Sequence, residues 1–118
     1  MAEFTILHRD DFERSGRWML ARRSLGLESF GMSVVEIEPG GGIPEHVEVE
    51  RDQEEIFVVL EGDAAIVVDG TEHPAPAGTF ARLDPRPLRT VVNKGERPAL
   101  VLIASAPTTS GYEPSSWN

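Results

Sequence analysis

The chain has 118 residues, 20 acidic against 11 basic side chains, a formal net charge of −9 and no cysteine. The length suits one domain with one core, and the absence of cysteine excludes disulfides and thiolate chemistry. The charge imbalance excludes a nucleic-acid partner, because that binding depends on Lys and Arg neutralising phosphates.

From the N-terminus, MAEFTILHRDDFERSG lacks the basic region followed by an apolar one that marks a secretory signal, so a cytoplasmic location is expected. Within it, HRDDFERSG (8–16) has room for one helical turn. GRWMLARRSL (16–25) is predicted as a short strand with Arg22 and Arg23 on opposite faces. In FGMSVVEIEPGGG (30–42), Met32 and Val34 alternate with Ser33, then Val35 and Ile37 with Glu36 and Glu38. That is a half-buried strand ended by Pro39 and the glycines. An acidic run overlaps it: residues 36–72 carry 12 carboxylates against one base, Arg51. Most of these, Glu50 and Asp52 among them, read as a solvated rim.

EIFVVLEG (55–62) is a stronger strand, rich in β-branched and aromatic residues. AAIVVDGTEH (64–73) holds Asp69-Gly70, a two-residue hairpin turn, since that turn needs φ > 0. PAPAG (74–78) is predicted as a stiff turn. TFARLD (79–84) and LRTVVN (88–93) are short strands around PRP. ALVLIAS (99–105) is a central strand by its unbroken apolar run. The polar tail APTTSGYEPSSWN lies on the surface, with Tyr112 and Trp117 expected to pack on the body or on a partner. No apolar stretch approaches the roughly 20 residues of a membrane span, so no membrane partner is expected. Seven or more short strands with little room for helix make an all-β sandwich or barrel. A single domain over 1–118 with its core at about 30–105 follows.

Over residues 30–105 the chain resembles a small single-domain cupin, a double-stranded β-helix or jelly-roll barrel. Gly40 is followed by five residues and His46, and Glu55 by six residues and Gly62, as in the family's first motif. Gly70, Pro76, Gly78 and Asn93 match its second. The chain departs at two of the family's metal-ligand positions. Glu48 replaces the second histidine, with six residues before Glu55 where the family has fewer, and Arg89 replaces the third. In metal-binding cupins three His and one Glu converge inside the barrel. Carried over, His46 and Glu55 are kept. A guanidinium at position 89 has no lone pair to lend and repels a cation.

The resemblance therefore implies a degenerate metal motif and no stoichiometric metal. The ligand-binding set is His46, Glu48, Glu55, Phe57 and Arg89, under an apolar wall of Met32, Val34, Phe57, Val59 and Val91. Arg89 is expected to point inward, to pair with Glu55, or to hold the carboxylate of an anionic ligand. His8 and His73, in polar surroundings, carry no role, and no catalytic residue is assigned. Two readings of function stand. One is a small-molecule-binding barrel, homodimeric as small cupins commonly are. The other is a metal-dependent enzyme, a dioxygenase or isomerase, using His46, Glu48 and Glu55. Such a one-His, two-carboxylate set would suit a hard divalent ion such as Mn, Mg or Fe(II).

Overall fold

Alternating apolar residues separated by glycine and proline turns fold this chain into two antiparallel sheets. The computed structural model describes residues 3–118. Met1 and Ala2, the start of the stretch that lacks a signal pattern, lie outside the described residues. A 3-10 turn at Arg9–Asp11 leads into β1 (Arg14–Ser15), β2 (Trp18–Met19) and the one-turn helix α1 (Ala21–Leu25). Then follow β3 (Gly31–Ile37), β4 (Gln53–Glu61), β5 (Asp63–Val68), β6 (Thr71–Pro76), β7 (Phe80–Leu83), β8 (Arg89–Asn93) and β9 (Ala99–Pro107). The larger sheet runs β1-β2-β3-β9-β4-β7 and the smaller one β6-β5-β8. The apolar run at 99–105, predicted as a central strand, does take a central place within β9, between β3 and β4. Among the described residues no helix is long and apolar enough to cross a membrane.

The core lies between the sheets. Val35 and Ile37 from β3, Phe57 and Val59 from β4, Ile66 from β5, Val91 from β8 and Val101 and Ile103 from β9 form one buried cluster. Val34 does not join it. It faces the other side of the larger sheet, where Met19, Leu100 and Phe12 cover it. Its predicted place on the ligand wall is thereby corrected: the N-terminal segment covers that end of the sheet, so consecutive residues are buried on opposite faces.

Two local expectations also change. The strand predicted over 16–25 is only β2, and Ala21–Leu25 is helical. The C-cap explains it. Gly26 sits at φ 75° and donates its N–H to the carbonyls of Arg22 and Arg23, closing a turn of good helix formers. The stiff turn predicted over 74–78 is shorter, because β6 continues to Pro76. β6 is an edge strand, where a missing N–H is tolerated. The Asp69-Gly70 turn forms as expected, with φ of 49° and 83°. Asp69 Oδ1 also accepts the Leu88 N–H at 2.9 Å, tying the hairpin to the start of β8.

Candidate functional site

The segment after β3 runs along β8 as an irregular extra strand. Ile43 N–H donates to Val91 O at 3.1 Å, His46 N–H to Arg89 O at 3.0 Å, and Arg89 N–H back to His46 O at 2.9 Å. His46 and Arg89 are thus a directly opposed antiparallel pair, and their side chains leave the sheet on one face. Period two along β8 puts Val91 and Asn93 on that face too, and all three are buried. Asn93 locks the end of this arrangement. Its Nδ2 donates to Ile37 O at 2.8 Å and Arg97 O at 2.7 Å, and its Oδ1 accepts from Gly95 N–H at 2.8 Å.

Glu48 comes in from a closed loop. Its N–H donates to Pro85 O at 2.9 Å, and its carbonyl accepts the Gln53 N–H at 3.1 Å. That closure absorbs the extra residues before Glu55 and leaves Glu50 and Asp52 exposed, as predicted. Glu55 starts the inward row of β4 that continues as Phe57 and Val59, opposite Leu83 on one side and Ser105 on the other.

The side chains converge. His46 Nε2 lies 3.3 Å from Glu55 Oε1 and 3.6 Å from Glu48 Oε1. His46 Nδ1 is 3.0 Å from the Pro44 carbonyl. A carbonyl only accepts, so Nδ1 carries a proton and Nε2 is the atom aimed at the two carboxylates. One proton then has to sit between Nε2 and Glu55, on the ring or on the acid. Burial pushes the Glu55 carboxyl above the ordinary carboxylate range. The His46 charge pulls it back, Glu48 pushes it up again, and Arg89 acts with His46 to lower it.

Arg89 points inward, and its side chain is 0 % exposed. Its Nη2 donates to the Asp84 carbonyl. Its Nε lies 3.8 Å from Glu55 Oε1, an ion pair outside hydrogen-bond range. Among the described residues no acceptor reaches Nε or Nη1. Glu55 is therefore shared: its near oxygen leans to His46 while a buried cation stands behind it.

Above this floor opens a cleft of about 880 Å³. His46, Glu48 and Glu55 line it, with Trp18, Phe30, Met32 and Ile43 as its apolar and aromatic wall. Two expected members are elsewhere. Phe57 is fully buried in the core next below Glu55, and Arg89 does not reach the cleft surface. Val59 and Val91, also expected on the wall, are core residues for the same reason: the barrel interior at that depth is filled. Sequence reading missed Arg22, Arg51 and Trp18, which do line the cleft. The signal for Arg22 was the Leu25-Gly26 helix end, which places an arginine in a last helical turn rather than on a strand face.

The His46, Glu48 and Glu55 ligand atoms all lie within 4.8 Å of one another, close enough to hold an ion. The surrounding chemistry does not fit the family's metal centre. Two of the four family ligand positions are replaced, and one replacement is a buried guanidinium 3.8 Å from a remaining ligand. An ion on Glu55 would compete with Arg89 for its one carboxylate within 4.0 Å among the described residues, and would set a second positive charge beside a buried guanidinium whose Nε and Nη1 already lack hydrogen-bond acceptors.

The family model described as "Cupin domain" matches residues 33–105. A search of curated proteins found no match. Among solved structures, a cupin protein from Bacteroides fragilis superposes with a TM-score of 0.81 at 22% identity, covering 99% of this chain and 94% of that one. A sugar phosphate isomerase from a cupin superfamily, from Silicibacter pomeroyi, gives 0.73 at 26% identity, over 88% of this chain and 76% of that one. A Cupin 2 conserved barrel domain protein from Salinispora arenicola gives 0.67 at 21% identity, over 93% and 92%. With the motif glycines, the inward row of β8 and the converging His46 and Glu55 in place, this chain belongs to the cupin domain family.

Proposed function

We propose that this cupin binds a small organic molecule in the cleft over His46, Glu48 and Glu55, without a metal ion. The observation that carries the reading is Arg89. It is a permanent cation, fully buried behind Glu55, in the place where the family resemblance puts a third metal-binding histidine. The rest of the cleft has the make of a small-ligand pocket, an apolar and aromatic wall with a few convergent polar groups. The likeness to a sugar phosphate isomerase at 26% identity agrees with a small polar ligand.

A thermal-shift screen of small metabolites tests the reading. Hits are expected to raise the melting temperature of the wild type and to lose their effect in His46→Ala, whose side chain is half-buried and faces the cleft. A screen without hits, or hits indifferent to His46→Ala, would count against it.

A second reading, a metal-dependent enzyme of the dioxygenase or isomerase type, is favoured by one observation: three ligand atoms within 4.8 Å. It asks those three donors to hold an ion against Arg89, and it ranks second for that reason.

We also propose that two copies pair through the outer face of the larger sheet. Beyond the covered Val34, Leu102, Val58 and Phe80 continue that face as one cross-strand apolar row, ending at Phe80, which is 68% exposed. Phe4 and Ile6 in the N-terminal segment are 75% and 83% exposed, apolar residues without cover from their own chain. A second copy of the chain supplies complementary surfaces of both kinds. Light scattering at one chain mass would contradict this.

A further inference from the structure

We infer that the ligand has two unlike ends: a hydroxyl-rich head that meets the cleft floor, and a carboxylate or phosphate that meets Arg22 and Arg51. The inference rests on the small-molecule reading above and names the class of molecule.

The floor presents acceptors. Glu48 and Glu55 offer carboxylate oxygens, and His46 Nε2 faces them with at most the one proton they share. A group that docks there has to bring donors, and neighbouring hydroxyls bring two or more. Arg89 does not serve as the anion contact, because it is fully buried and its Nη2 is committed to Asp84 O. The cations that do reach the cleft are Arg22 and Arg51.

Both arginines are held on fixed frames. Arg22 Nη1 donates to Leu27 O at 3.2 Å, so the Gly26 cap that closes α1 also pins this guanidinium at the cleft. Arg51 sits in a turn closed by Asp52 N–H to Val49 O at 3.1 Å, and Asp52 O accepts Thr108 N–H at 2.8 Å. Among the described residues neither arginine has a carboxylate within 4.0 Å, a state they share with Arg17, Arg86 and Arg97, whereas Arg9, Arg14, Arg23, Arg82 and Arg89 each have at least one. For Arg51 this is notable, since Glu48, Glu50 and Asp52 all lie within three positions of it. Glu28 is the one acidic side chain on the cleft besides the two floor carboxylates, and it faces solvent. Two arginines free of carboxylate partners over an acceptor floor select an anion with a donor head. A neutral sugar satisfies only the floor, and a simple anion only the arginines.

Calorimetric titration of the full chain with four probes tests this: D-glucose, inorganic phosphate, D-gluconate and a glucose monophosphate. The last two carry both ends, gluconate as an open-chain carboxylate and the monophosphate as a ring phosphate ester, so each shows whether an anion added to a hydroxyl-rich head tightens binding. At least one of them should bind tighter than glucose and tighter than phosphate by about tenfold or more, the scale of one hydrogen bond to a charged group. Arg22→Ala and Arg51→Ala should each remove that excess and leave glucose binding alone. Glu48→Gln should weaken glucose and the two-ended compounds together. Arg97→Ala, an exposed arginine away from the cleft, should change nothing. If glucose binds as tightly as its phosphate and gluconate, or if both arginine variants keep the excess, the inference is overturned while the small-molecule reading stands. If none of the four binds, the inference is overturned, and the metabolite screen with His46→Ala decides the small-molecule reading separately.

Discussion

Glu55→Ala is expected to destabilise the protein by about 3–5 kcal/mol, the usual cost of stripping a buried charge of its partner. Among the described residues, Glu55 is the only carboxylate within 4.0 Å of Arg89, and the Arg89 side chain has no solvent exposure to fall back on. The reciprocal change should behave differently. Arg89→Met is expected to cost no more than about 1 kcal/mol, because Glu55 already has a raised pKa and can keep a proton once the cation is gone. Denaturant unfolding of both variants checks the asymmetry; equal large losses would mean that Arg89 also supports the fold through Asp84.

The pH dependence has a definite sign. The folded-state pKa of Glu55 is raised, so the native state holds its proton where the unfolded chain has released one. Its contribution is therefore fully present below the ordinary carboxylate pKa. It is lost as pH climbs from there through the raised value. Glu55→Gln should remove that downward slope; a slope unchanged in Glu55→Gln would locate the titration elsewhere.

Phe57→Ala should cost a comparable amount, about 3–5 kcal/mol, as expected for a large aromatic removed from a packed core. Phe57 is 0% exposed and is paired in register with Ala81 and Ile103 on its two neighbouring strands. The same substitution decides between its two roles. Were it a ligand contact, as parity along the strand suggested, affinity would fall and stability would barely change. With Phe57 below the cleft floor, the melting temperature should fall steeply. Ligand affinity in the folded fraction should change only as far as Glu55 loses its support.

Much of this was legible in the chain because strands announce themselves by parity. Glu55, Phe57 and Val59 share a face, as do Arg89, Val91 and Asn93, and both rows do point inward. Parity says nothing of depth. It could not tell that Glu55 reaches a cleft while Phe57, two residues on, is sealed beneath it. Nor could it assign Val34, which is buried because the N-terminal segment covers the sheet's second face. The cleft arginines do not show in strand parity, for a different reason. Arg22 lies on a five-residue helix, too short to show a period, and Arg51 in a turn closed by backbone hydrogen bonds. Their shared position comes from the folded chain, since 29 positions separate them in sequence.

The central claim is that Arg89 stands in place of a metal ion, and metal content tests it most directly. The protein would be produced in medium supplemented with manganese, iron, nickel and zinc, purified without chelator, and analysed by inductively coupled plasma mass spectrometry. The account expects far less than one equivalent of any of these metals per chain, with no difference between wild type and Glu48→Gln. About one equivalent in the wild type that disappears in Glu48→Gln would contradict it, and would make His46, Glu48 and Glu55 a working metal site despite the arginine behind them.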